Sequence, residues 1–277
     1  MSEWTDIIDE VIDHVTLLKE LGERTVEIDP AVMRSLSTVP RAPIPAQPAA
    51  APPSAPRAAA APAFTFEKPP AEVPPIATAP SLSPEARRQA LADIAARADA
   101  CSACPLREKR TKNVPGQGNP DSPDVMFIGE APGYDEDQQG IAFIGAAGQL
   151  LTKMIAAMGY TRDEVFIANI CKCRPPGNRT PFPEEMQKCL PFLREQIAVI
   201  KPKVIVLLGG TAIKGLLDTQ AGVTRLQGQW TSYEGIPVMP TFHPSYLLRF
   251  PPAKRDAWHA LKRVLAHLGR PVPETSK

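Results

Sequence analysis

The sequence predicts an α/β fold, a four-stranded parallel sheet sandwiched by helices. Three observations predict it. Apolar runs recur at 125–128, 165–170 and 204–208, with a fourth at 238–242. The runs are continuous rather than alternating, which suits strands buried on both faces. Between them lie segments with apolar residues at helical spacing, and strand–helix alternation of this kind builds a parallel sheet covered on both sides.

The chain has 277 residues, 33 of them proline. Residues 40–84 hold 14 prolines among 45 positions, interleaved with alanine runs. Such a stretch cannot build a packed core and reads as an extended tether. Four parts follow: an amphipathic N-terminal helix within 1–28, a disordered Pro/Ala-rich linker over 29–82, a folded domain over 83–270 and a flexible tail, 271–277. The net charge of +1 conceals an asymmetry, because residues 101–277 carry 22 Lys/Arg against 16 Asp/Glu. That mild basicity permits a nucleic-acid partner and is also ordinary for a domain of this size. No apolar run has the length of a membrane span and no secretory pattern opens the chain, so a cytoplasmic protein without a membrane partner is expected. Five cysteines in a reducing compartment suit metal binding better than disulfides.

In chain order, residues 4–23 place Trp4, Ile8, Val11, Ile12, Val15, Leu18 and Leu21 near helical spacing. A lone helix of that length is marginal, so it docks on a protein partner, self-associates or folds back. Ser83-Pro84 is an N-cap followed by proline at the first helical position, and opens a helix over 84–99. Residues 115–123 read as loop. After the strand at 125–128 come a loop with Asp135, Glu136 and Asp137, then a helix over 148–158. The second strand is followed by a helix over 183–200, and the third ends in Gly209-Gly210 before a short helix over 211–217. Residues 228–235 suggest a small hairpin, and 253–268 form the closing helix.

The stretch 124–148 concentrates chemistry: a strand end at Gly129, carboxylates at Glu130 and 135–137, and Phe143 before the next helix. Strand ends with Gly/Pro turns build pockets at the carboxyl edge of parallel sheets. Cys101 and Cys104 have the bite of a metal knuckle, whereas Cys173 and Cys189 are widely spaced. Spacing alone admits zinc and an iron–sulphur cluster equally. Cys171, two residues before Cys173, reads as a small buried thiol. Of the histidines, His14 falls on the N-terminal helix and His259 and His267 on the closing one; only His243 sits between a strand and a Pro-Ser turn.

Taken together, GEAPG at 129–133, the acidic triplet, AFIG at 142–145 with Ala147-Gly148, Asn169-Ile170, KCRPP at 172–176 with Asn178-Arg179, and HPSYLLR at 243–249 resemble the family-4 uracil-DNA glycosylases. The resemblance covers about 101–268 and does not reach residues 1–80. It implies a [4Fe–4S] cluster on Cys101, Cys104, Cys173 and Cys189, leaving Cys171 over. It implies hydrolysis of the N-glycosidic bond of deoxyuridine by base flipping, releasing uracil from double- or single-stranded DNA and leaving an abasic site. A monomeric catalytic domain working at the nucleoid is expected.

The resemblance also assigns roles. Gly129, Glu130 and Ala131 contact uracil and hold the water, Phe143 stacks on the base, Asn169 reads its edge and His243 lies near O2. Arg174, Arg179, Ser245, Leu247, Leu248 and Arg249 contact DNA, the leucines as a wedge and Arg249 on phosphate; Lys172 is a further candidate for phosphate. In better-known relatives an aspartate stands at the position of Ala131, so the catalytic carboxylate falls to Glu130 or Glu136. A related branch uses an Arg-rich insertion with a nucleophilic histidine. No histidine lies between Cys173 and Cys189 here, which sets that branch aside.

Overall fold

A computed structural model describes residues 82–273. The N-terminal helix, the Pro/Ala-rich linker up to residue 81 and residues 274–277 lie outside the described residues. Helix α1 (Pro84–Ala100) starts where the Ser83 hydroxyl accepts the Ala86 N–H at 3.2 Å. The short helix α2 (Leu106–Lys109) and a two-residue strand β1 (Gln117–Gly118) lead to β2 (Val125–Gly129). Helices α3 (Tyr134–Gln139) and α4 (Ala146–Ala157) precede β3 (Phe166–Asn169). A 3-10 turn (Pro176–Asn178), α5 (Pro183–Ile200), β4 (Val204–Leu208), α6 (Gly210–Leu217) and α7 (Val223–Leu226) follow. The chain closes with β5 (Thr231–Tyr233), β6 (Ile236–Thr241), α8 (Pro244–Arg249), a second 3-10 turn (Pro251–Ala253) and α9 (Lys254–His267).

The sheet corrects the four-stranded expectation. It has six strands in the order β1-β3-β2-β4-β6-β5. Its inner strands β3, β2, β4 and β6 run parallel, and the edge strands β1 and β5 are antiparallel to their neighbours. Both added strands are short, two and three residues, with no apolar run to announce them. Short edge strands limit edge-to-edge pairing with other chains. The β5–β6 hairpin turns at Glu234-Gly235, where both residues have positive φ (49° and 80°), as a two-residue primed turn requires.

Period-2 alternation divides the inner strands between two cores. Met126, Ile128, Ile205 and Leu207 pack toward Leu193, Ile197 and Ile213 on α5 and α6. Val125, Phe127, Val204 and Val206 pack toward Leu151, Ile155, Leu261 and Val264 on α4 and α9. Every residue of β2, β3 and β4 is buried. This rigid middle layer delivers Gly129, Asn169, Gly209 and His243 to one edge of the sheet, where the four inner strands end.

The acidic triplet is not a loop. Asp135, Glu136 and Asp137 fill the first turn of α3, where the helix dipole favours carboxylates. Among the described residues no helix is long and apolar enough to cross a membrane.

Candidate active site at the carboxyl edge of the sheet

A cleft of about 490 Å³ opens at this edge. Its lining includes Glu130, Ala131, Glu136, Phe143, Asn169, Arg179, His243, Ser245 and Arg249, so residues expected from distant parts of the sequence meet in one place. Gly209, Gly210 and Tyr246, which carried no role in the sequence analysis, join them.

Gly129 ends β2 where two side chains converge. A Cβ there would lie 2.4 Å from Phe143 Cζ and 2.5 Å from Asn169 Oδ1. Any side chain at this position would displace both. Phe143 itself adopts φ 53°, unusual for a bulky residue and a form of strain that the surroundings must hold. Two groups do so. A Cβ on Gly148 would lie 1.9 Å from the Phe143 carbonyl, so the backbones there pack at glycine distance. Arg162, missed in the sequence, donates to the carbonyls of Ala142 (2.6 Å) and Phe143 (2.9 Å) and to Thr152 Oγ1 (3.1 Å).

Asn169 is 2% exposed, and its Oδ1 has no hydrogen-bond partner among the described residues. An unmet buried acceptor costs on the order of 1–3 kcal/mol, so one facing a cleft is a strong pointer to a ligand donor. Lys172 supports the same residue from behind. Its amine donates to the Asn169 carbonyl (2.9 Å) and to Gln196 Oε1 (2.7 Å), and burial pushes it down to about 8. At 1% exposure Lys172 cannot reach a phosphate, which corrects that expectation.

His243 caps α8. Its Nδ1 accepts the Ser245 N–H at 3.1 Å and lies 2.8 Å from Ser245 Oγ. Burial, helped by the Arg249 charge, pushes the imidazole down to about 4, so the ring is neutral at physiological pH. Its centroid stands 5.6 Å from that of Phe143. Gly209, at φ 87°, leaves room for it, since a Cβ there would meet His243 Cβ at 2.9 Å.

The two candidate carboxylates differ in their surroundings. Glu136 Oε1 accepts from Ile144 N–H (2.9 Å) and Gly145 N–H (3.0 Å), and Oε2 from Gly133 N–H (3.0 Å). It fastens the turn before α3 to the turn before α4. Glu130 is half-buried in the cleft wall; its backbone carbonyl accepts the Cys171 N–H at 3.0 Å, while its carboxylate has no hydrogen-bond or ion-pair partner among the described residues. Asp137, like Glu136, is occupied, with both oxygens accepting the Thr111 N–H.

The expected DNA contacts divide. Leu247 is 1% exposed and packs with Ala253 and Ala257, so it belongs to the core; Leu248 and Arg249 face outward. Helical geometry separates the neighbours, because successive residues point about 100° apart. Arg179 forms a bidentate pair with Glu185 (2.8 and 2.7 Å), which holds that carboxyl below the usual carboxylate range. Arg174 donates to Asn178 Oδ1 at 2.7 Å.

Cys101, Cys104, Cys173 and Cys189 line a second, small cavity beside Arg107, Lys172 and Phe192. Among the described residues no three His, Cys, Asp or Glu side chains are grouped to hold a metal ion. Donors nonetheless surround these sulphurs. Lys172 N–H reaches Cys189 Sγ at 3.1 Å, Arg110 reaches Cys173 Sγ at 3.1 Å, and Ala103 N–H reaches Cys101 Sγ at 3.5 Å. Cys171 is buried outside that lining; a hydrogen bond to Cys189, with burial, pushes its thiol up.

Residues 115–262 match the family described as the uracil DNA glycosylase superfamily. A type-4 uracil-DNA glycosylase of Thermotoga maritima is 46% identical over 167 residues, 59% of this chain and 85% of that protein. The type-4 enzyme of Archaeoglobus fulgidus is 38% identical over 193 residues, 67% of this chain and 96% of that protein. A type-5 enzyme of Pyrobaculum aerophilum shares less, 31% over 140 residues, covering 44% of this chain and 62% of that protein. The chain therefore belongs to the uracil-DNA glycosylase superfamily, as an enzyme of its type-4 branch.

Proposed function

We propose that the enzyme takes deoxyuridine out of the DNA stack, binds the base in the carboxyl-edge cleft and hydrolyses its N-glycosidic bond, releasing uracil and leaving an abasic site. The observation that carries this reading is the buried Asn169 Oδ1, without a partner among the described residues, in a cleft that Phe143 and His243 also line. A base inside a duplex cannot be reached by an enzyme, so flipping is the physical requirement for chemistry at C1′. The Asn169 carboxamide accepts from uracil N3–H and donates to O4, a pairing that cytosine reverses. Phe143 supplies the stacking face.

As the C1′–N1 bond lengthens, negative charge develops on the departing uracil, including O2. His243 meets it with the proton on Nε2, since Nδ1 is committed as an acceptor. A neutral donor fixed before reaction stabilises the leaving group without reorganising. Uracil leaves with the bonding electron pair, water adds to C1′, and the proton that the water loses ends on the uracil anion. Glu130 orients that water and offsets the developing sugar charge. Glu136 holds the turn that carries the walls. At the mouth, Leu248 fills the vacated stack as an apolar wedge and Arg249 grips phosphate.

A [4Fe–4S] cluster on Cys101, Cys104, Cys173 and Cys189 fits the residues present: four thiols line one cavity, and N–H groups point at three of the sulphurs. When bound, it supplies a structural cross-link among α1, the 171–174 turn and α5. Visible absorption bleached by dithionite, with iron in the purified protein, is the expected result; a colourless zinc protein overturns it.

The decisive experiment incubates the protein with an oligonucleotide bearing one uracil, followed by alkali. Strand cleavage at that site with release of free uracil is expected, and iron-replete protein that leaves the oligonucleotide intact overturns the reading.

A further inference from the structure

The cleft rim carries two exposed aromatic rings that the chemistry above does not use. Tyr134 is 57% exposed and Phe182 55%. Large rings left open beside a binding cleft offer a flat face on which a planar base can stack. Each has an arginine over it: the Arg174 guanidinium carbon lies 5.0 Å from the Tyr134 centroid, and that of Arg179 lies 3.9 Å from Phe182.

Both arginines are anchored. Arg174 is held by Asn178 and Arg179 by the buried Glu185. The Arg179 charge is thereby compensated, which makes it a weak phosphate ligand and a firm backing for a ring. Asn178 and Arg179 line the cleft, as does Gly133 next to Tyr134.

We propose that Tyr134 and Phe182, backed by Arg174 and Arg179, form a stacking platform for the unpaired bases that flank uracil in single-stranded DNA. The proposal rests on the uracil-DNA reading of the cleft. Stacking on a ring is indifferent to base identity and needs only an open π-face. Bases in a duplex are already stacked and paired, and only an unpaired strand offers them. A pre-held ring loses little side-chain freedom on binding, so the stacking energy is mostly retained.

The test compares Tyr134→Ala and Phe182→Ala with the parent on one uracil-containing sequence, single-stranded and duplex. On the single strand KM rises about tenfold while kcat is little changed, and the duplex KM moves less than about twofold. Tyr134→Phe and Phe182→Tyr, which keep the ring, restore the parent KM. A second measurement needs no chemistry: 2-aminopurine beside a non-cleavable uracil analogue in single-stranded DNA is quenched on binding the parent, and less so on binding the alanine variants. An unchanged single-strand KM, an equal rise on duplex, or quenching that ignores both substitutions overturns the platform. Failure of the parent to release uracil would count against the glycosylase reading instead, and the fluorescence measurement would still decide the platform.

Discussion

The backbone N–H of Ser245 donates to Nδ1 of His243 at 3.1 Å. That one contact settles which ring nitrogen is the acceptor and leaves Nε2 to carry the proton of the neutral ring. With the imidazole held near about 4 by burial, kcat is expected to show no titration of His243 between neutral pH and about pH 5.5. His243→Ala should lower the single-turnover rate about 100- to 1,000-fold, with DNA affinity changed by less than about threefold. Rapid-quench kinetics beside equilibrium binding checks both.

The same histidine has a signature in stability. The unfolded imidazole titrates near 6.5 and the folded one near about 4, so the unfolded state binds the extra proton between those values. Stability attributable to His243 is therefore lost as pH falls through that window and levels off below it. Thermal melts of the parent and His243→Gln across this range should converge toward the acid end, the variant being the less acid-sensitive.

Glu130 and Glu136 separate by measurement. Removing the carboxylate that accepts three backbone N–H groups, with Glu136→Ala, should cost about 2 kcal/mol, or roughly 4–8 °C in Tm for a domain of this size. Glu130→Gln should leave Tm unchanged and lower kcat about 100-fold or more. A Glu130→Gln enzyme with full kcat would remove that carboxylate from the chemistry.

Asn169→Ala is expected to reduce kcat/KM for uracil about 100-fold through two lost hydrogen bonds. Gly129→Ala reaches the same pocket differently, by pushing Phe143 and Asn169 apart, and should abolish activity while the circular dichroism spectrum stays that of the parent. Steady-state assays of the pair test whether the cleft depends on that missing side chain.

Cys173→Ser should lose iron and visible absorption, whereas Cys171→Ser should keep both, because Cys171 stands outside the lining of the thiol cavity. Iron analysis of the two purified variants distinguishes a ligand from its neighbour.

The buried strands were legible in the sequence because β2, β3 and β4 are covered on both faces and so read as unbroken apolar runs. Phe143, Asn169 and His243 were legible through motif order, Asn169 and His243 at or just after strand ends and Phe143 in the turn before α4. The rest depends on partners far along the chain. Nothing local distinguishes Glu136 from Asp135 until Ile144 and Gly145 fold over it. Lys172 and Arg162 look like surface cations, and only acceptors supplied by the fold, backbone carbonyls with Gln196 and Thr152, make their burial tolerable. Leu247 and Leu248 are identical as letters; the one-residue step along α8 sends the first inward and the second out. The edge strand at Gln117–Gly118 has no pattern of its own and exists through pairing with β3.

Lys172 stands three residues after Asn169 and one before Cys173, with its amine on the Asn169 carbonyl and its own N–H on Cys189 Sγ. The pocket wall and the thiol cavity thus share a stretch of five residues with no slack in it. One inserted residue between 169 and 173 would break this alignment even with every ligand and every base-contacting residue still present. The two sites can be exchanged between related chains only as a single cassette, and a graft that moves either alone should fail at this joint.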